Sequence, residues 1–168
     1  MASEADQAID GLLERYLVLV DQYAALSASL SAAQQRTFHA LARARFTVDR
    51  GGGVGRDQYD ERMQASRRVV VSRPAAAPPT FAVTAEGRNA AGNNPLRWFG
   101  VLVPQALRDA QSEAVRTVED ILPRLASVQA EMAQVEIEVR RARKRRAKAI
   151  SNRDLTHTNK NSGSGHNG

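Results

Sequence analysis

The chain has no cysteine, a single tryptophan, and aromatic residues at only 5 % of its 168 positions. The missing thiols exclude disulfides, thiolate zinc sites and cysteine nucleophiles, and they fit the cytosol better than a secreted environment. So few rings argue against a thick globular core; the plentiful Ala, Arg, Gln, Glu, Val and Leu instead favour helices packed along a stripe. Long apolar runs are also lacking. The stretch 16–20 falls far short of the roughly 20 residues a membrane span needs, and no basic segment precedes it as in a signal peptide, so a soluble protein is expected. Lysine is absent from residues 1–139, where 15 Arg face 17 acidic residues for a net −2. Residues 140–168 hold 9 basic residues against Asp154, a net +8, so the overall charge of +6 belongs to an appendage and not to the body.

What remains is heptad pattern. Ile9, Leu12, Tyr16, Leu19, Tyr23, Leu26, Leu30, Ala33, Thr37, Leu41, Ala44 and Val48 step by threes and fours with one slip near Thr37, flanked by Leu13, Leu17, Val20 and Phe38. This predicts a long helix over 3–50, with Ser3 as N-cap and Glu4 and Asp6 in its first turn, ended by Gly51, Gly52 and Gly53. Residues 51–94 read as a connection with two short strands, about 67–72 around Val69, Val70 and Val71 and about 80–84 containing Phe81 and Val83. Such a hairpin is marginal alone and must lie on the helices or on a partner. A second helix within 95–149 is expected to start at Pro104, which suits a first helical position. Its seam is Leu107, Ala110, Ala114, Val118, Ile121, Leu125, Val128, Met132, Val135, Val139 and Ala142. Pro123 interrupts that seam without shifting its phase, which predicts a kink. Two helices of about 65 to 70 Å, at 1.5 Å per residue, predict a mostly α fold: a long antiparallel two-helix coiled-coil hairpin with a small β-hairpin insert and a disordered tail over 150–168.

Two clusters stand out. Asn94-Pro95-Leu96-Arg97-Trp98-Phe99-Gly100-Val101-Leu102-Val103-Pro104 gathers Trp98, Phe99 and four aliphatics between two prolines. It is either a plug capping the hairpin or a partner-binding patch, and Pro95, Leu96, Trp98, Phe99, Val101, Leu102, Val103, Pro104 and Leu107 are the candidate contact residues. The second cluster, Arg140, Arg141, Arg143, Lys144, Arg145, Arg146 and Lys148, is a basic accessory patch or a solvated helix end. Nucleic acid is the weaker partner for it, because no aromatics interleave with the charges to stack bases.

The first cluster, followed by Leu107, Arg108, Ala110 and Gln111, resembles the Pro-Leu-x-Trp-Phe-Gly-Ile-Leu-Val-Pro run that opens the last helix of the cytosolic coiled-coil assembly factors of the vacuolar proton-pumping ATPase. Leu41-Ala42-Arg43-Ala44-Arg45-Phe46, with Tyr59 beyond it, is more weakly similar to the end of that family's first helix. The resemblance spans roughly 9–72 and 94–140; Pro123 and the basic run depart from it. It implies a non-catalytic chaperone for the membrane-embedded V0 sector, held at the endoplasmic reticulum by a membrane-anchored assembly factor and contacting V0 subunits transiently. A generic coiled-coil scaffold, or a protein binding RNA or anionic surfaces through the basic run, is the alternative.

Enzymatic signals are weak. The glycines at 51, 52, 53 and 55 follow a helix and lack the Gly-Lys-Ser/Thr ending of a phosphate loop. His39 has no acidic or histidine neighbour at helical spacing, and His157 and His166 lie in the tail. No cofactor, metal or small-molecule substrate is expected.

Overall fold

The computed structural model describes residues 4–48, 54–55, 58, 60–75, 77–85 and 94–161, the side chains of Val48 and of 153–161 excepted. Helix α1 is Glu4–Val48, strands β1 and β2 are Arg67–Ser72 and Thr80–Ala85, helix α2 is Gln105–Arg116, and helix α3 is Leu122–Asn161. A 3-10 turn, Pro95–Phe99, precedes α2, and a π-helical turn, Thr117–Ile121, joins α2 to α3. The chain is therefore mostly helical with one small antiparallel sheet. It divides into two compact units, one of Met1–Asp21 with Glu131–Gly168 and the other of Gln22–Ala130.

In the first unit the seam positions Ile9 and Leu19 of α1 and Val135 and Val139 of α3 are buried, with Leu12, Tyr16, Met132 and Ala142 half-buried. Each apolar stripe removes from water what its own helix cannot cover. Two ion pairs flank them: Arg15 to Glu131 at 4.0 Å and Arg146 to Asp6 at 2.8 Å. Both are surface pairs, worth at most about 1 kcal/mol each.

The second unit buries Ala33 and Ala44 of α1, Ala106, Leu107 and Ala110 of α2, and Val128 of α3. Small residues dominate this list, as close helix approach requires. Arg36 reaches Glu113 at 3.1 Å. The strands pair Val69 with Val83 and Val71 with Phe81, which puts these four side chains on one face together with Arg67. Arg67 donates to Glu119 of the π-helical turn at 2.5 Å, and Phe81 faces a cleft lined by Pro123, Val128 and Leu26. The hairpin therefore rests on the helices of its own unit, one of the two supports the sequence allowed for.

Two sequence expectations, the helix start at Pro104 and the helix end at 149, need correction, and the interruption at Pro123 gains a local cause. Pro104 stands one position before the helix, where its carbonyl accepts from the Leu107 and Arg108 N–H groups at 3.0 and 3.3 Å. Pro123 is met by the π-helical turn: Leu122 donates to the Thr117 carbonyl five residues back, widening the helix just before the residue that lacks an N–H and whose ring would press on the carbonyl four back. Thr117 and Ser127 hydroxyls donate to the carbonyls of Glu113 and Pro123 on either side, which eases the change of pitch. Finally, α3 runs to Asn161, past the expected helix end at 149, because nothing between Ala149 and Asn161 breaks a helix. Ser3, the glycines at 51–53, Tyr59 and residues 162–168 lie outside the described residues.

Candidate protein-binding site

The segment 94–104 is shaped by its own backbone chemistry. The Asn94 side chain accepts from the Leu96 N–H at 3.1 Å and its carbonyl accepts from Arg97, so Asn94 caps a short turn whose first residue, Pro95, has no N–H to satisfy. Gly100 ends the turn at φ 93°, ψ −173°, a conformation open only to glycine, and donates to the Arg97 carbonyl at 3.4 Å.

That turn sorts the cluster into two faces. Leu96, Phe99 and Val103 are half-buried and pack against Ala44, Ala106 and Leu107, joined there by Leu41 and Val54. Leu107 is only 5 % exposed, so it is a core residue of this unit and its place among the contact candidates is not supported by its surroundings. Val101 and Leu102 point the other way and are 99 % and 93 % exposed. Pro95, Trp98 and Pro104 are half-buried. The plug and patch readings thus describe opposite faces of one segment, and a shallow groove lined by Asn94, Arg97, Gly100, Leu102 and Arg108 opens beside the outer face.

A further support escaped the sequence reading. The Arg62 guanidinium lies 5.6 Å from the centre of the Trp98 ring, within reach of a cation–π attraction. It is held there by Asp60, which lies 2.6 Å from Arg62 Nη2 and accepts from the Arg62 Nε and backbone N–H. These bonds hold the Asp60 carboxyl below its ordinary range. An Asp at the start of a turn two residues before an Arg was the only signal for this arrangement, and such a local motif does not reveal that a Trp 36 positions later lies under the cation.

The basic run lies on α3 in the other unit, and all its members are exposed. Arg140 pairs with Glu136 and Arg146 with Asp6. Arg141, Lys144, Arg145 and Lys148, at helical spacing of three and four, share one face, whose alkyl stems line a shallow surface groove. Among the described residues no group of acidic and histidine side chains is arranged to hold a metal, and no helix is long and apolar enough to cross a membrane.

A chain with these features is a mostly helical protein with an exposed apolar turn and an exposed basic helix face. Residues 10–87 match the Vma22/CCDC115 family. This is the family of V-ATPase assembly factors, so the resemblance read from the sequence is shown over α1 and the strand pair, including the weaker motif at 41–46. The matched stretch ends before Pro95, and the Trp98 segment rests on its own sequence likeness. No curated protein matches the chain. The family implies a role in V-ATPase assembly.

Proposed function

We propose that the protein is an assembly chaperone for the membrane-embedded V0 sector of the vacuolar proton-pumping ATPase, acting in the cytoplasm at the endoplasmic reticulum beside a membrane-anchored assembly factor. The family match over residues 10–87 carries this reading. In it, the two seams close on each other as an antiparallel coiled-coil hairpin. Support comes from each unit separately, since partners climb along α1 as they descend along the later helices: Asp6 with Arg146 then Arg15 with Glu131 in one, and Arg36 with Glu113 then Ala44 with Leu107 in the other. Contact with the client or the membrane-anchored factor runs through Val101 and Leu102, with Trp98 at its margin, while Leu96, Phe99, Val103 and Leu107 fix the base on which they stand. Exposed aliphatics on a conformationally restricted turn lose little entropy on binding, which suits a hot spot. The face of Arg141, Lys144, Arg145 and Lys148 serves as an accessory for anionic surfaces, at about 1 kcal/mol per cation near a charged leaflet.

The test is recovery of bound proteins from detergent-solubilised membranes with the full chain as bait. V0 subunits together with a membrane-anchored assembly factor are expected. Recovery of RNA or of unrelated helical proteins alone would transfer the assignment to the scaffold reading.

A further inference from the structure

We propose that the groove beside Val101 and Leu102 takes a segment of a partner protein in which acidic residues stand next to aliphatic ones. This names the partner's chemistry for the contact described above and rests on that reading. Val101 and Leu102 are the two most exposed large apolar side chains among the described residues. Leu102 shares one groove with Arg97 and Arg108, so a partner that covers the leucine covers both cations as well. Among the described residues the guanidinium groups of Arg97 and Arg108 meet no carboxylate. Three acids of the same unit are engaged elsewhere: Asp60 holds Arg62, Glu113 pairs with Arg36, and Asp109, next to Arg108, accepts from the Gln105 amide at 2.7 Å.

Charge selects the occupant. A guanidinium removed from water needs acceptors for its N–H groups, and a carboxylate supplies them in matching geometry. A purely aliphatic segment would cover Leu102 and leave both arginines without a partner; a basic one would add repulsion. A second copy docked through the same face is a poor occupant, because a two-fold axis there would bring four arginines together. A bilayer would use the aliphatics and the arginines, but the main chain argues against it. The N–H groups of Val101, Leu102 and Val103 have no backbone acceptor among the described residues. Hydrocarbon offers them none, whereas the carbonyls of a peptide do. Trp98, the side chain best suited to a bilayer interface, lies under Arg62 instead.

The experiment pans a phage library of random peptides over the full chain, after the library has been cleared on the chain carrying Arg97→Ala and Arg108→Ala. Clearing removes peptides that bind the basic run on α3. Both arginines are exposed, so the doubly substituted chain should melt like the parent. Surviving peptides should carry Asp or Glu beside Leu, Ile, Val or Met. By fluorescence anisotropy a labelled survivor should bind the double variant, and separately Leu102→Ala, about tenfold more weakly than the parent, and its binding to the parent should weaken as salt rises. Survivors without acidic residues, a survivor that binds Leu102→Ala as tightly as the parent, or no survivors at all would overturn the proposal. So would flotation with phosphatidylserine vesicles that the double variant abolishes, since the cover would then be a membrane, or a dimer in sedimentation that Leu102→Ala returns to monomer. A chain that recovers V0 subunits from solubilised membranes but selects no acidic peptide overturns this inference alone. A chain that selects acidic peptides but recovers no V0 subunit overturns the functional reading and upholds the acidic preference of the groove.

Discussion

Replacing Phe99 and Leu102 separately by Ala distinguishes the two faces of the Trp98 segment. Phe99 packs on the cluster of Ala44, Ala106 and Leu107 and is half-buried, so its truncation should cost less than the 3 to 5 kcal/mol of a fully buried Phe, about 2 kcal/mol. For a chain of this size that lowers Tm by about 4 to 8 °C. Leu102 is 93 % exposed and has almost no contacts to lose, so Leu102→Ala should stay within about 0.5 kcal/mol of the parent. If a partner covers Leu102, burial of a leucine side chain contributes about 1.5 to 3 kcal/mol to the complex, and its loss weakens binding about tenfold to a hundredfold. Thermal melts by circular dichroism, co-recovery of V0 subunits, and organelle acidification in cells whose only copy carries each substitution give the readouts. Leu102→Ala should melt like the parent and recover less partner; Phe99→Ala should melt early. A low melting point for Leu102→Ala would show that the outer face is core. Parent-like melting, recovery and acidification for Leu102→Ala would show that this face meets no partner.

Val135 is fully buried in the first unit, and Val135→Asp should cost several kcal/mol and remove much of the helical signal at 222 nm; unchanged helicity would refute the inward seam. Gly100→Ala should cost about 1 to 3 kcal/mol, all of it backbone strain because an added Cβ meets nothing within 4 Å, and an unchanged Tm would show that the turn tolerates another conformation. The side-chain bond from Arg62, then the Arg62 N–H, depresses Asp60, so this turn's stabilisation is present above the ordinary carboxylate pKa of about 3.9 and fades as pH falls through the lower folded value. Carboxyl chemical shifts of Asp60 should titrate below that ordinary value and move up toward it in Arg62→Ala, which removes the side-chain bond and keeps the backbone N–H. Reversing Lys144 and Arg145 to Glu should leave the melt unchanged and abolish salt-sensitive retention on anionic vesicles; retention equal to the parent's would confine the basic run to a solvated helix end.

Most of the helical plan was legible because the seam rule depends only on spacing. Of the twelve seam positions in the first helix, all but Val48, whose side chain is not described, are buried or half-buried, and so are all eleven in the second. The strands were legible for the same reason: β-branched runs between turn residues placed them at 67–72 and 80–84, and the structure extends the second by one residue. The helix near Pro123 was harder. A heptad phase that survives a proline says the helix continues, but the widened hydrogen bonding that lets it continue involves carbonyls on the preceding turn, and those leave no mark in the pattern. The candidate site was half legible. Its composition announced a cluster, yet which side chains faced inward depended on the turn set by Asn94, Pro95 and Gly100.

By itself the sequence determined the helical class, the inward stripe of each helix, the strand pair and the placement of the excess positive charge after residue 139, since each is a property of spacing or of local composition. Only the tertiary structure decided that Leu107 is core while Val101 and Leu102 are surface, that Arg62 covers Trp98, and that Glu119 holds Arg67. Those outcomes join residues 36 and 52 positions apart, or turn on one glycine's φ, and the energy that selects them comes from contacts that exist only after the chain has packed.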